Sequence, residues 1–594
     1  MPPTRFSQKK ASVWKAELDI DQIVPPPAPY QLPRERHPRN WSKPRRIFIV
    51  CIICNLLLPI EMFPTLYVGA QPQIQSYFSS SFLLVTMGVG LVNLAIAFGS
   101  LLGAPLSGLI GRRLTYILSS ICFTGFATGS ALAPNITACL VFRFCAALFG
   151  STAIPIFNHT VSDLFTPEER VPLTAIFTTL LYSAPTFGPV PASLMGQHVS
   201  WRWIIALSAF WAALFAVVLL FLPETDLNVI KRLYRASNEG VSPYQVCRTQ
   251  FRTKDAWQTL LTPLTMLVLE PIFLFTMLYY AFVHGVFFIL LQVFPLFYRE
   301  NYEFSLSKSG LVFLAPWIGN LIGAVVYFAY LQPKHTHRRQ QLQYKNDQIL
   351  AQNPHAYVQV ELKPETRLPG LLIGVVSISG GLVWFGLTST PRLNFMVPIA
   401  SGVPIGAGLA LVNISLLAYC TDLYPSLSSS VIIAGLFVRS LYAAFAPSFA
   451  VHMFQNIGRR NSCLILAGIC LAGLPAGCVL WACGSQVRFL SKRAAQDESY
   501  VMRDVTLGLD TYDNRKDSGT SDRKPIRRNS SSRRSANSFA QGDRLLYEQP
   551  GLEMAPGPSL QPSYDDIQGP GVHLEARARS SNPFLVEEIP RSST

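Results

Sequence analysis

The segment Gly103-Ala104-Pro105-Leu106-Ser107-Gly108-Leu109-Ile110-Gly111-Arg112-Arg113 joins two long apolar runs. Small residues let helices approach closely, and paired arginines resist transfer across hydrocarbon. The segment therefore reads as a turn between two membrane helices at a cytoplasmic surface. Apolar runs at 82–107 and 114–133 flank it, each long enough to cross about 30 Å of hydrocarbon.

Working outward, the same pattern repeats along the chain. Of 594 residues, 50% are hydrophobic and only 14% charged, with a mean hydropathy of +0.30. A soluble chain carries about 25% charged residues. The composition predicts a polytopic, all-α membrane protein. A formal net charge of +15 raises the question of nucleic acid, but the Arg and Lys sit in loops and tails, where they set topology instead.

Twelve spans are expected, at 47–69, 82–107, 114–133, 137–161, 171–196, 202–222, 264–298, 309–331, 368–388, 394–420, 429–455 and 461–483. Two blocks of six, 47–222 and 264–483, flank a polar cytoplasmic connection at 223–263. This is the layout of two parallel repeats related by an axis along the membrane normal. Residues 1–46 read as a disordered basic arm and 484–594 as a disordered tail. Neither Pro-rich arm nor first span resembles a cleavable signal peptide. With the N-terminus inside, Arg112, Arg113, Arg170, Lys231, Arg248, Lys334, Arg338 and Arg367 fall on cytoplasmic connections. Far fewer basic residues fall outside, with Arg459-Arg460 the main exception, so both termini are expected in the cytoplasm.

Enzyme signatures are absent. There is no Gly-x-x-x-x-Gly-Lys-Ser/Thr loop to drive export by ATP, and no cofactor is indicated. Cys51-Ile52-Ile53-Cys54 has metal or redox spacing but lies in an apolar helix without a partner motif, so it reads as packing. His335 and His337 lie in a charged loop without cysteine partners, and no metal site is expected.

Several motifs occur in order. Pro105-Leu106-Ser107 precedes Gly111-Arg112-Arg113. Leu140-Val141-Phe142-Arg143-Phe144 places an arginine inside the fourth span, followed by Pro167-Glu168-Glu169-Arg170. Gly188-Pro189 breaks the fifth span, Leu222-Pro223-Glu224-Thr225 ends the sixth, and Glu270-Pro271, Tyr424-Pro425 and Leu436-Phe437-Val438-Arg439-Ser440 follow. In these residues the chain resembles fungal twelve-span drug:proton antiporters of the major facilitator superfamily, the group that includes polyamine, fluconazole and cycloheximide exporters. The resemblance covers the membrane portion, about Asn40 to Arg488, and implies two pseudo-symmetric six-helix bundles that alternate access to a midplane site. It departs at three places: Gly108 where an acid is usual, Gly188-Pro189-Val190-Pro191-Ala192 where paired glycines are usual, and Gln292 where a glutamate is common.

Ionisable side chains within spans are costly and therefore candidate functional groups. Glu61, between Pro59 and Pro64 of span one, and Arg143 of span four lie at similar depth, and the family fold implies that both spans line the central cavity. They are expected to form either a protonation-sensitive pair or a static ion pair that fixes helix packing. His284 is a second proton-coupling candidate, with a packing histidine as the alternative. Asn93, Asn158, Tyr279, Gln292, Asn320, Asn413, Tyr419 and Arg439 are candidate cavity contacts, each also able to serve as an interhelical hydrogen bond. The expected gate comprises Gly103, Gly108, Gly111, Arg112, Arg113, Asp163, Gly188, Pro189 and Asp422, with Asp163 and Asp422 pairing to nearby arginines. Asn135 of Asn135-Ile136-Thr137 has the glycosylation pattern, and Ser530 and Ser535 follow arginine pairs that a basic-directed kinase would read.

These features predict a secondary transporter exporting small amphipathic or cationic organic molecules, including polyamines, by proton antiport. The alternatives are a proton-coupled importer and a transport-inactive receptor or scaffold. The expected partners are a small-molecule substrate, protons and the bilayer, with no nucleic acid and a monomeric chain. The resemblance implies the plasma membrane, with the vacuole as alternative.

Overall fold

Glycine and proline mark where the helices of this chain stop, bend or meet. The computed structural model describes Pro33 and residues 36–227, 229–231, 233–234, 253–352 and 363–488; most of the expected arm, about half of the central connection and the tail beyond 488, with Ser530 and Ser535, lie outside them. The end of the expected disordered arm is instead ordered, with a helical turn at Pro38–Asn40 and the first long helix already starting at Lys43, where Ser42-Lys43-Pro44 places a proline in the first turn. Every regular element among the described residues is a helix, and eleven helices are long and apolar enough to cross a membrane.

The first bundle begins with α1 (Lys43–Tyr77), a 35-residue helix that carries Pro59, Pro64 and Pro72 in its interior. Then come α2 (Phe82–Ile110) and α3 (Arg112–Ala131). The fourth crossing is split into α4 (Ile136–Gly150) and α5 (Ala153–Leu164). The expected fifth span is not among the eleven long apolar helices. It is built from α6 (Pro167–Phe187) and α7 (Pro189–His198), which meet at Gly188-Pro189, because proline supplies no N–H to carry the hydrogen-bond ladder through. The sixth is α8 (Trp201–Leu219).

Two boundaries in the second half differ from the sequence reading. Residues Thr253–Leu269 form a separate helix, α9, and the seventh crossing, α10 (Pro271–Tyr302), begins seven residues later than expected. Glu270 between them takes an extended conformation (φ −112°, ψ 95°), as a residue before proline prefers. The eighth crossing runs through α11 (Leu306–Leu311), α12 (Leu314–Val326) and a π-turn at Tyr327–Leu331 into α13 (Gln332–Gln352). The stretch expected as a charged loop is thus a polar helix, which holds His335 and His337. The remaining helices are α14 (Pro369–Thr388), α15 (Met396–Ala400), α16 (Gly402–Leu423), α17 (Ser428–Ile457), α18 (Arg459–Leu471) and α19 (Gly473–Arg488).

The neighbours repeat between halves. In the first bundle α2 packs on α4, α3 on α4 and α8, and α1 on α6 and α7; in the second α12 packs on α16, α14 on α16 and α18, and α10 on α17. These are the same pairs in repeat numbering, as two pseudo-symmetric bundles require. The bundles meet along α2 and α17, and again where α6 and α7 face α11 and α12. Gly90 of α2 sits so close to the Ala444 carbonyl of α17 that no Cβ fits between them. Phe98 and Phe437 meet edge to face along the same seam at 5.8 Å.

This seam makes a prediction. Gly90→Val forces α2 away from α17, and detergent-purified protein should unfold at a lower temperature, by an amount matching a loss of about 1–3 kcal/mol. Gly125→Ala, where a Cβ meets no neighbour within 4 Å, should leave the transition unchanged or slightly raised.

Candidate functional site

Glu61 and Arg439 meet at the middle of the molecule. Glu61 lies on α1 of the first bundle and Arg439 on α17 of the second; they are 4% and 1% exposed. An Arg439 Nη2 hydrogen donates to Glu61 Oε1 at 3.1 Å and reaches Oε2 at 3.4 Å. Placing each charge in an apolar interior costs several kcal/mol, which their mutual attraction offsets only while they stay in contact. The Arg439 guanidinium also lies over the Tyr182 ring, 5.0 Å from its centroid. The Tyr182 hydroxyl (α6) shares a hydrogen bond with that of Tyr280 (α10), again across the bundles. His284 lies edge-on to Tyr182, with ring centroids 6.3 Å apart. Arg439 Nε and Nη1 are buried with no hydrogen-bond partner, so the guanidinium holds donors beyond those Glu61 uses.

The expected pairing of Glu61 with Arg143 is therefore corrected. Arg143, 1% exposed, donates to the carbonyls of Phe63 at 3.0 Å and Gly88 at 3.5 Å. Its guanidinium is sandwiched against the rings of Phe63 (4.3 Å) and Tyr67 (4.1 Å). The depth reading was sound, since Arg143 meets α1 within two turns of Glu61. The facing direction was not legible. At about 100° per residue Phe63 stands roughly 200° round the helix from Glu61, so the two side chains point to different neighbours.

The expected cavity residues separate into groups. Asn93 donates to the Val89 carbonyl of its own helix, whereas the Tyr279 hydroxyl donates to the Cys470 carbonyl of α18 at 2.8 Å and so ties α10 to α18. Asn320 on α12 and Asn413 and Tyr419 on α16 are buried in the second bundle, and Asn158 on α5 is partly buried. Gln292 lines a cleft of about 410 Å³ between the bundles, together with Gln71, Ser193 and Arg299. That volume falls within the usual range of small-molecule sites. Asn135 is exposed and its Oδ1 caps α4, accepting from Ala138 N at 2.7 Å.

At the opposite end of the bundle, Gly111 turns the chain between α2 and α3 with φ +92°, and an added Cβ would lie 2.7 Å from Glu224 Oε2. The free N–H groups of α3 are capped by Glu224, whose Oε1 accepts from Arg112 N at 3.1 Å and whose Oε2 accepts from Arg113 N at 3.2 Å. Arg112 Nε lies 3.0 Å from Asp163 Oδ2, its Nη2 3.8 Å from Asp226 Oδ2, and its Nη1 donates to Ser107 Oγ. The acid missing at Gly108 is thus replaced by carboxylates from α5 and from the end of the sixth crossing. Gly103 lies against the Thr152 carbonyl and Pro155, Gly188 against Thr65 of α1, and the Pro189 carbonyl beside Gly310 of α11. In the second half Asp422 pairs with Arg367 at 2.8 Å, with His335 3.8 Å away.

Sequence reasoning missed Tyr182, Tyr280, Glu224, Asp226, Arg367 and Gln71. Tyrosines are ordinary in apolar spans, and nothing local in the sequence distinguishes these two. Glu224 carried a signal, because it stands in a recognised motif, but its role becomes visible only when α3 is brought beside it.

The Major Facilitator Superfamily pattern matches residues 51–447. The chain is 28% identical over 482 residues to the major facilitator superfamily multidrug transporter mdrA of Aspergillus fumigatus, spanning 79% of this chain and 76% of that protein. It is 29% identical over 480 residues to the MFS-type efflux pump MFS2 of Trichophyton rubrum, spanning 79% and 77%. Among solved structures, the xylose transporter XylE from E. coli in a partially occluded inward-open conformation superposes with a TM-score of 0.53 at 14% identity, covering 74% of this chain and 98% of that one.

The geometry predicts non-additivity. Arg439→Gln should destabilise the detergent-purified protein by about 3–5 kcal/mol, because it leaves the Glu61 carboxylate buried alone. Adding Glu61→Gln should recover much of that loss in thermal unfolding. Arg143→Gln should show no such recovery with Glu61→Gln.

Proposed function

The chain belongs to the major facilitator superfamily, a class of multi-pass membrane transporters rather than enzymes, and on that premise we propose that it exports small amphipathic organic molecules in exchange for protons. The efflux pumps among its relatives support export. The buried Glu61–Arg439 pair carries the coupling: it is a titratable contact that holds α1 to α17, and so one bundle to the other.

The mechanism follows from the charges. With Glu61 ionised, the pair binds the bundles together at mid-depth, and the cleft lined by Gln71 and Gln292 lies open beyond it. By the charge of its loops this is the outer face, and both termini are cytoplasmic. A proton from outside neutralises Glu61 and frees Arg439, so the contact that favours this arrangement is lost. The bundles then rock about the midplane site. At the inner face Glu61 gives up its proton, substrate binds, and the re-formed pair favours return. The Arg112 cluster with Asp163, Asp226 and Glu224, and Arg367 with Asp422, brace the inner ends of the two halves through this cycle. We place the chain in the plasma membrane.

Reconstituted vesicles test the reading. An imposed pH gradient should raise accumulation of labelled amphipathic toxicants about tenfold or more in wild type. Glu61→Gln should abolish that gain yet keep gradient-independent equilibration. Gradient-driven flux undiminished in Glu61→Gln, or no response to the gradient in wild type with any of several substrates, would overturn it.

A further inference from the structure

The cleft between the bundles is built to receive hydrogen-bond acceptors. Gln71 of α1 and Gln292 of α10 both line it, one from each bundle. They are 7% and 4% exposed, and the Nε2 of each is buried with no hydrogen-bond partner. A buried amide N–H left unpaired costs about 1–3 kcal/mol, so two of them on side chains that line one cleft mark a place where a ligand, reached by a turn of the side-chain amide, supplies the missing bonds. Arg299 stands at the rim of the same cleft and brings a permanent positive charge. Val68, Pro295 and Leu296 give it an apolar wall, and among the described residues no carboxylate lines it. Glu61 stands ten residues before Gln71 on α1, roughly 15 Å at the helical rise, and neither it nor Arg439 lines the cleft.

We propose that this cleft is a substrate-binding vestibule selective for amphipathic molecules that bear a carbonyl or carboxylate, and that it disfavours cationic amines and polyamines. Resting on the reading of the chain as an exporter, the assignment narrows the substrate class. The apolar body of the molecule lies against Val68, Pro295 and Leu296. Its carbonyl or carboxylate oxygen accepts from Gln71 and Gln292. Arg299 adds attraction for an anion and repels a cation. Because the two amides belong to different bundles, an acceptor bridging them also ties substrate occupancy to how the bundles stand.

Three molecules with one ring system separate the possibilities: 1-naphthylacetic acid, 1-naphthylacetamide and 2-(1-naphthyl)ethylamine. Spermidine serves as the polyamine probe. Equilibrium binding to the full-length protein in nanodiscs, with no pH gradient, reads the vestibule independently of coupling. The acid and the amide should bind at least about tenfold more tightly than the amine or spermidine. Gln71→Leu and Gln292→Leu should each weaken the acid and amide about tenfold, and Arg299→Gln should weaken the acid alone. Arg299→Glu should invert the preference between acid and amine, an outcome that misfolding cannot imitate. Amine binding as tight as acid binding in wild type, or leucine variants that bind like wild type, would overturn the proposal. Glu61→Gln should keep this binding pattern while losing gradient-driven flux, so a failed vestibule and a failed antiport reading give different results.

Discussion

Two charges buried in an apolar interior must stay together, and in this protein they stand on opposite halves. Glu61 and Arg439 are each almost without solvent contact, and neither has another charged partner at hydrogen-bonding distance among the described residues. Separating them would strand both, at a cost of several kcal/mol per ion. The close seam between α2 and α17, where Gly90 admits the Ala444 carbonyl, sets how near the two bundles come, and so lets α17 present Arg439 to α1. Arg143 shows the contrast. It is equally buried, yet it is satisfied by two carbonyls and two ring faces inside one bundle, none of which changes charge in the working pH range. One arginine is held by neutral groups of its own bundle; the other is paired with a carboxylate of the opposite bundle.

The two ends of the molecule divide the remaining polar chemistry. At the end with the glycine turn, Arg112 collects Asp163 and Asp226 while Glu224 closes the start of α3, so several weak contacts share one helix terminus. Most of these residues are only partly buried, so each contact is worth little alone and the cluster acts by fixing geometry. At the other end the cleft offers amides and an arginine against an apolar wall. The ion pair lies between the charged cluster around Arg112 and the cleft lined by amides and Arg299.

Much of the fold was legible because membrane crossing imposes a coarse, repeated rule: about twenty apolar residues, then a polar turn. That rule found the spans and the two halves. It failed locally where proline chemistry intervened. Gly188-Pro189 divides the fifth crossing, and Pro271 moves the start of the seventh away from residue 264. The site was legible in depth but not in direction. Counting from the helix ends puts Glu61 and Arg143 at one level, but only the rotation of α1 within the bundle shows that Glu61 faces α17. Long-range partners such as Tyr182 and Tyr280 leave no trace in spacing, because what joins them is the meeting of two bundles about a hundred residues apart. The missing acid at Gly108 was a true departure, and the expected pairing of Asp163 with an arginine is present at Arg112; Asp226 and Glu224, which join it from the end of the sixth crossing, were not legible.

If the Glu61 carboxylate is the proton carrier, substrate and proton must compete through it. Unbuffered detergent-purified protein, with a pH-sensitive dye in solution, reports this directly when 1-naphthylacetamide is added near the pH at which the coupling group is half-protonated. Wild type should release up to one proton per transporter, and Glu61→Gln none under the same saturating ligand. Equal proton release from both proteins would contradict it.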